Sequence, residues 1–191
     1  MKPHVEDAMN LFDFFNEQVE RSSEDIDLTL HRDTRLYLAN VLTERARMDR
    51  AAPEAHTLAE LHAAAALAPP AQQARTYREL GDRALYAVGY FSESIERKIV
   101  SEDYYVDMGR AAYDRADFVF RRWFADAFGP VFRELAECFQ DCARVYTRIR
   151  AIHEEDTLDV LYREWLETGS EEVAQKLREV GLILPRTAGE V

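Results

Sequence analysis

The stretch that decides the fold runs from Arg78 to Tyr113 and reads RELGDRALYAVGYFSESIERKIVSEDYYVDMGRAAY. Its apolar residues recur every three to four positions, the spacing of one face of an α-helix. Glycines interrupt this pattern at Gly81, Gly89 and Gly109. Because a glycine inside a helix costs roughly 0.5–1 kcal/mol relative to alanine, three of them indicate a packing reason. The sequence therefore predicts two helix backbones in close contact, with tyrosines filling the space beside them.

The two helices of this stretch should form an antiparallel hairpin around a brief turn at 100–101. In that pairing, Gly89 is expected near the level of Ala112, where small residues permit a tight contact. Replacing Gly89 with leucine should then cost the roughly 1–3 kcal/mol that is typical of overpacking.

Helical periodicity extends over nearly the whole chain, and strand signals are nearly absent. Three long helices are expected at 71–100, 102–128 and 130–153. Shorter helices are expected at 5–19, 34–48, 54–67 and 157–167, and a last one between Ser170 and Gly181. Polar residues at 22–25 and the Gly129-Pro130 pair predict breaks. Ser101 and Ser170 are expected to cap the helices that follow them, and Gly169 is expected to end the helix at 157–167. The helix at 130–153 carries an apolar stripe from Phe132 to Ile152. The fold class is therefore all-α: one domain over 1–191, a bundle of about seven helices with a central antiparallel hairpin.

Composition limits the classes of function. At 191 residues the chain can bury a core without disulfides or metals, and its 47% apolar and 31% charged residues are typical of a folded protein. The net charge of −12 disfavours nucleic acid, because affinity for phosphates comes from Lys and Arg, and it equally disfavours anionic membranes. No segment has the pattern of a secretory signal or a membrane span. We expect a cytoplasmic protein that binds neither nucleic acid nor membrane.

Cysteine and lysine usage agrees with that expectation. Cys138 and Cys142 lie four apart in a helical segment, where a disulfide fits poorly, so both are expected as buried thiols in a reducing compartment. Of the 24 Lys and Arg residues, only Lys2, Lys98 and Lys176 are lysines. This bias is typical of a GC-rich coding sequence and suggests a bacterial source.

Motifs for catalysis and for metal binding are missing from the sequence. None of the five histidines follows a glutamate by three residues, as di-iron bundles require, and His-Glu-x-x-His does not occur. The sequence has no Gly-x-Ser-x-Gly elbow and no glycine-rich phosphate loop after a strand. We therefore predict no catalytic residue, no metal site and no cofactor.

A tyrosine cluster around one acid supplies the candidate ligand- or partner-binding residues. The candidates are Asp82, Tyr86, Tyr90, Tyr105 and Tyr113. One interpretation is a partly polar cavity whose phenol groups orient a ligand. The other, which we favour, is that the rings fill a helix junction and their hydroxyls bind nearby acids or carbonyls. The candidate arginine partners of the acid are Arg78, Arg83 and Arg110.

A second aromatic group occupies the end of one long helix and comprises Trp123, Phe124 and Phe128. If part of this group is exposed, it becomes a site for a partner, because exposed apolar patches usually mark contact surfaces. Otherwise these residues belong to the core.

Several short motifs, spread along the chain, resemble those of a known group of proteins. They are Leu80-Gly81-Asp82, Leu85-Tyr86, Gly89-Tyr90-Phe91, Tyr104-Tyr105, Met108-Gly109, Ala112-Tyr113, Leu161-Tyr162-Arg163-Glu164-Trp165-Leu166 and Thr168-Gly169-Ser170. Together they resemble a group of uncharacterised bacterial all-helical proteins of unassigned function, over most of the chain. The resemblance implies a single bacterial, cytoplasmic domain and brings no activity with it.

The sequence thus favours a non-catalytic protein-interaction or regulatory module. Its expected partner is a protein, either another one or a second copy of this chain. The alternative is a small-molecule-binding helical bundle whose central cavity is lined by the Tyr/Asp cluster.

Overall fold

A computed structural model of the protein describes residues 5–47, 57–95, 101–124 and 129–179, and the regular structure of these residues is entirely helical. Eight helices lie within the described ranges. They are α1 (Val5–Asp25), α2 (Arg32–Arg47), α3 (Leu58–Leu67), α4 (Pro70–Ile95), α5 (Glu102–Trp123), α6 (Gly129–Glu137), α7 (Phe139–Thr168) and α8 (Glu171–Glu179). The predicted all-α class is confirmed. None of the helices in these ranges is both long and apolar enough to cross a membrane.

The chain divides into two compact units, Met1–Ile149 and Arg150–Val191. The first contains α1 to α6 and the start of α7, and the second contains the rest of α7 and α8. In the first unit α4 packs along α5, α3 lies against α4, and α6 contacts α2 and α5. The predicted apolar stripe of the 130–153 region is buried in its core. Its buried members are Phe132, Leu135, Phe139, Cys142, Val145, Tyr146 and Ile149.

The central pair α4 and α5 is antiparallel, as the sequence predicts. The α-carbon of Gly81 faces the Tyr113 ring, whereas Gly109, earlier in α5, faces Ala84, later in α4. A β-carbon on Gly81 would lie only 2.6 Å from the Tyr113 ring. Glycine here permits the close approach of an aromatic ring, and not the contact of two helix backbones that the sequence predicts.

The expected position of Gly89 opposite Ala112 is wrong. Gly89 faces α7, where an added β-carbon would overlap Tyr146 and lie 3.0 Å from the carbonyl oxygen of Ala143. Ala112 packs instead with Leu80. The first reason is the register: Gly81 meets Tyr113 and Ala84 meets Gly109, so Gly89 lies closer to the level of residues 104–105 than to Ala112. The second is helical rotation, since eight residues turn a helix by about 80° beyond two full turns and Gly81 and Gly89 face different neighbours.

The predicted break at 22–25 does not occur, because α1 continues to Asp25. The Ser23 hydroxyl donates to the Val19 carbonyl at 2.6 Å, so it bonds within the helix instead of capping a new one. The helix ends at Asp25, and Asp27, just beyond it, adopts the left-handed region (φ 56°). There the Asp27 and Leu28 amides donate to the carbonyls of Glu24 and Ser23, the Schellman pattern of a helix end.

The predicted helix at 130–153 is two helices. A single turn residue, Cys138, separates α6 from α7, and backbone bonds from Cys138 to Glu134 and from Cys142 to Cys138 keep the helical spacing. The sequence shows no Pro or Gly at this interruption, so the pattern carries no signal for it. Helix α7 continues through 157–167, where the sequence predicts a separate helix. The Thr157 hydroxyl donates to the His153 carbonyl at 2.8 Å, so it bonds within α7 instead of capping a new helix.

The other two long helices differ from their predicted bounds only at the ends. Helix α4 begins at Pro70 and is described to Ile95, so 96–100 of the predicted helix lie outside the described residues. Helix α5 begins after Ser101, whose side chain accepts from the Tyr104 amide at 3.4 Å, as the sequence predicts. It ends at Trp123, and 125–128, with Phe128, lie outside the described residues.

The second unit has a small core of its own around Trp165, Val173, Ala174 and Leu177. Gly169 adopts a positive φ of 62°, which ends α7 at little steric cost. The Ser170 side chain accepts from the Val173 amide at 3.5 Å and caps α8. Both roles were predicted, whereas Gly181 lies outside the described residues.

Candidate functional site

The predicted acid, Asp82, is buried between helices of the first unit. It occupies the core-facing side of α4 one residue after Gly81, and only 6% of it is exposed. Tyr113 on α5 packs its ring on Gly81, which brings its hydroxyl to the carboxylate. The local packing therefore places a charged side chain where an apolar one is normal.

Two phenols bind the same carboxylate oxygen. The Tyr113 hydroxyl donates to Asp82 Oδ1 at 2.9 Å, and the Tyr37 hydroxyl of α2 donates to the same atom at 2.7 Å. Of the three arginines predicted as partners, Arg78 is near, with its Nε 3.8 Å from Asp82 Oδ2. We call Asp82, Tyr37 and Tyr113 the Asp82 network. It ties α2, α4 and α5 together at one point.

The other two arginines bind elsewhere. Arg83 pairs with Glu79 on its own helix at 2.6 Å. The Arg110 guanidinium donates to the Ala136 carbonyl of α6 at 3.2 Å. The Asp82 carboxylate thus accepts hydrogen bonds from two neutral phenols, forms a long ion pair with Arg78 and also feels the charge of Arg45.

Burial shifts the protonation of this network. Removal from water raises the pKa of Asp82 to about 6, although the hydrogen bonds from Tyr37 and Tyr113 and the positive charge of Arg78 act in the opposite direction. Burial, followed by the charge of Asp82, raises the pKa of both tyrosines well above the ordinary value. Both phenols therefore stay protonated and keep donating, while the carboxyl group titrates close to neutral pH.

The remaining candidate tyrosines form separate contacts. Tyr86 and Tyr90 stack with ring centroids 4.8 Å apart, and the Arg45 guanidinium carbon lies 5.7 Å from the Tyr86 centroid. Tyr105 meets Tyr104 edge to face. The structure thus brings Asp82 and Tyr113 together and places Tyr86, Tyr90 and Tyr105 in ring contacts of their own.

Sequence reasoning missed two tyrosines of this region. Tyr37 completes the Asp82 network, and Tyr146 presents its ring edge to Tyr90 while its hydroxyl donates to the Leu38 carbonyl at 2.9 Å. Tyr37 is distant in sequence and lies beside the apolar Leu38, so the pattern marks it only as a core position. No local signal pairs it with Asp82.

A groove on the first unit lies apart from these candidates. Its volume is about 430 Å³, and it is lined by residues of α4, α5 and α7. The lining residues are Val88, Glu102, Gln140, Asp141, Ala143, Arg144 and Thr147. The groove contains none of the five predicted site residues.

The aromatic group at the end of α5 is exposed. Phe118 is 57% exposed, Trp123 58% and Phe124 44%, and we call these three residues the aromatic end. Phe120, between them in sequence, turns inward and stacks on Phe132 with centroids 5.1 Å apart. The described part of α5 thus exposes three large apolar side chains.

Arginines accompany the aromatic end. The Arg122 guanidinium carbon lies 5.3 Å from the centroid of the Trp123 ring, which is within cation–π range. Earlier in α5, the buried Asp117 carboxylate contacts Arg121, which lies one helical turn after it. The Oδ2 atom of Asp117 also lies 3.6 Å from Arg133 Nε. Asp117 is a buried acid that sequence reasoning missed, although it stands at a core position one turn after Tyr113.

The two cysteine thiols are poorly placed for nucleophilic chemistry, and the described acidic side chains form no metal site. Cys142 is buried and Cys138 half-buried, and burial raises the pKa of both thiols away from the reactive thiolate form. Within the described ranges, no group of three or more His, Cys, Asp or Glu side chains is placed to hold a metal ion.

Comparison with known proteins gives no relative from which a function could be transferred. No family model matches the chain, and no curated protein or solved structure matches it either. Any functional conclusion therefore has to come from the geometry.

Proposed function

We propose that this protein is a non-catalytic protein-interaction module and that a partner protein docks on the aromatic end of α5. One observation carries the proposal: Trp123 and Phe124, consecutive at the C-terminal end of α5, are 58% and 44% exposed, and Phe118, about 140° from Trp123 around the same helix, is 57% exposed. Single exposed apolar residues are ordinary, but clusters of them usually mark contact surfaces. Tryptophan is also enriched among the residues that dominate binding energy.

The energetics favour a transient complex. Full burial of a large apolar side chain is worth about 1.5–3 kcal/mol, and these three are already partly covered. Association costs at least about 4 kcal/mol in lost freedom of motion. Covering the aromatic end alone therefore gives modest affinity, and other contacts have to contribute. The free thiols Cys138 and Cys142 support a cytoplasmic setting for this interaction.

The test compares matched surface variants in quantitative co-purification from cells of the source organism. The combined Phe118→Ser and Trp123→Ser variant should fold normally and lose a specific partner. Leu67→Ser is the control, because Leu67 is 91% exposed and lies on α3. The proposal is wrong if both variants retain the same proteins, or if the partner that is lost does not bind the purified wild-type chain directly.

The alternative, a small-molecule-binding bundle, is favoured by the groove of about 430 Å³ beside α7. The Tyr/Asp cluster supports it less well, because the Tyr113 ring packs directly on Gly81 and the phenol hydroxyls are bound to Asp82. Native mass spectrometry separates the two functions. Extra mass that disappears on denaturation would support a bound small molecule, whereas the bare chain mass would support the interaction module.

A further inference from the structure

We infer that the partner presents an acidic segment, in which apolar residues cover the aromatic end and flanking Asp or Glu side chains meet two arginines of α5. The inference rests on the proposed docking function. Arg115 and Arg122 are exposed and lie three residues before and four residues after Phe118. This spacing places all three on one outward face of the helix. A large apolar side chain is thus flanked by two cations.

Both arginines are available to a partner. Within the part of the chain that the structure describes, neither Arg115 nor Arg122 forms an ion pair. Arg122 contacts the Trp123 ring instead, so it covers part of the ring while keeping its charge. Arginine suits this role because its planar group binds a carboxylate through two parallel hydrogen bonds and stacks on aromatic rings.

The nearby buried acid does not neutralise this face. Asp117 is 4% exposed, and its carboxylate already contacts Arg121 and Arg133. Among the described residues of α5, Asp114, one turn before Phe118, is the nearest exposed acid on the outward side. On this described part of the helix, two exposed arginines therefore stand against one exposed acid.

A locally positive face is unusual in this chain, whose net charge is −12. Distant charges are screened over about 8 Å at physiological salt, so the two arginines decide the potential at the contact. In a symmetric pair of copies docked through this face, the same patch would meet itself, so the arginines of one copy would approach the arginines of the other. Charge complementarity therefore selects a different chain with an acidic docking segment.

The test uses synthetic helical peptides of about 18 residues with leucine at the i, i+3, i+4 and i+7 positions. One peptide has glutamate beside the leucines, a second has lysine there, and a third keeps the glutamates but replaces leucine with serine. Binding is followed by the NMR signal of the Trp123 indole N–H, one of two such signals, because the chain has two tryptophans. Trp123→Phe assigns that signal, and the buried Trp165 serves as the internal control.

We expect the Glu–Leu peptide to shift the Trp123 signal and to bind about tenfold more tightly than the Lys–Leu peptide, a difference of about 1.4 kcal/mol. The combined Arg115→Glu and Arg122→Glu variant should reverse this preference. The matched control, Arg32→Glu with Arg75→Glu, changes the same charge at exposed sites on α2 and α4 and should leave the preference unchanged.

The outcomes distinguish the two proposals. Equal binding of the Glu–Leu and Lys–Leu peptides overturns the acidic partner and leaves docking on the aromatic end intact. Equal binding of the Glu–Leu and Glu–Ser peptides overturns apolar docking and leaves a purely electrostatic contact. If neither leucine peptide shifts the Trp123 signal, both proposals are wrong.

Discussion

Helix α5 places an aromatic ring beside a charged group at two positions along its length, Tyr113 and Trp123. The two positions, here called the buried and the exposed level, differ in how far the ring is buried. At the level of the Asp82 network, Tyr113 is fully buried and its hydroxyl binds the Asp82 carboxylate. Two to three turns later, Trp123 is 58% exposed and its ring meets the Arg122 guanidinium. The residue types are alike, but neighbouring helices cover only the first level. Burial, and not residue type, therefore distinguishes the structural ring of Tyr113 from the exposed ring of Trp123.

The two buried acids of this region show a second contrast. Asp82 accepts from two neutral phenols and has a cation only at 3.8 Å, so burial raises its pKa to about 6. Asp117 contacts two arginines that are about half exposed. Phenols satisfy the hydrogen bonds of a carboxylate without compensating its charge, and this makes the Asp82 network sensitive to pH.

The largest expected effect probes the packing of the buried level. Gly89→Leu should lower the free energy of unfolding by at least about 3 kcal/mol, because even a β-carbon would overlap Tyr146 and the backbone of α7 cannot move away freely. Ala111→Leu, on the exposed side of α5, is the control and should change stability by less than about 0.5 kcal/mol. Chemical denaturation measures both. If both substitutions lowered the free energy of unfolding equally, the contrast between buried and exposed positions would be contradicted.

The next effect is a pH dependence. The folded pKa of Asp82, about 6, exceeds its ordinary value of 3.8, so the folded state binds a proton that the unfolded state does not. Stability from this group is therefore gained as pH falls. Between about pH 7 and about pH 4.5 the gain should be about 2 kcal/mol.

Asp82→Asn provides the reference for this pH dependence, because its amide oxygen can still accept from both phenols but does not titrate. The wild type should become more stable relative to the variant as pH falls over this range, as measured by urea unfolding at each pH. A constant difference between the two proteins would show that Asp82 does not titrate there.

The last comparison takes one ring at each level and ends on the smallest expected effect. Tyr113→Phe removes a hydrogen bond to a buried carboxylate and should cost about 1.5–3 kcal/mol at neutral pH. Trp123→Ala removes a larger side chain, yet it should cost less than about 0.5 kcal/mol because the residue is mostly exposed. Thermal and urea unfolding give both values. If Trp123→Ala lowered the free energy of unfolding as much as Tyr113→Phe does, Trp123 would belong to the core and the basis for docking would be removed.

Sequence reasoning identified most elements and the centre of the network, and its errors have local causes. It found the antiparallel α4 and α5 pair, the caps Ser101 and Ser170, and the packing role of Gly81. It took hydroxyl residues at 22–23 and at Thr157 as helix boundaries, where their side chains bond back to the preceding turn. The same residue type can cap or continue a helix, and only the three-dimensional hydrogen bonding distinguishes the two.

The candidate site was predicted less completely than the fold. Asp82 and Tyr113 were identified because they share a helical hairpin, which fixes their spacing. Tyr37 was missed because it is 45 residues from Asp82 in sequence, and nothing local encodes that contact. The exposure of Trp123 also remained open, since the apolar spacing of α5 continues past the point where its neighbours stop covering it.

The sequence by itself determined the all-α class and the antiparallel central pair, because helical periodicity is a property of neighbouring residues. It also marked Gly81 as a tight packing position, whereas only the structure shows that an aromatic ring, and not a second backbone, fills the space there. The tertiary structure alone decided which helices meet at Gly89, that Tyr37 joins Tyr113 at Asp82, and that the end of α5 is left uncovered. These features depend on how far each helix extends and how it is rotated against the others. Burial, which sets both the pKa of Asp82 and the availability of Trp123, exists only once the helices are packed.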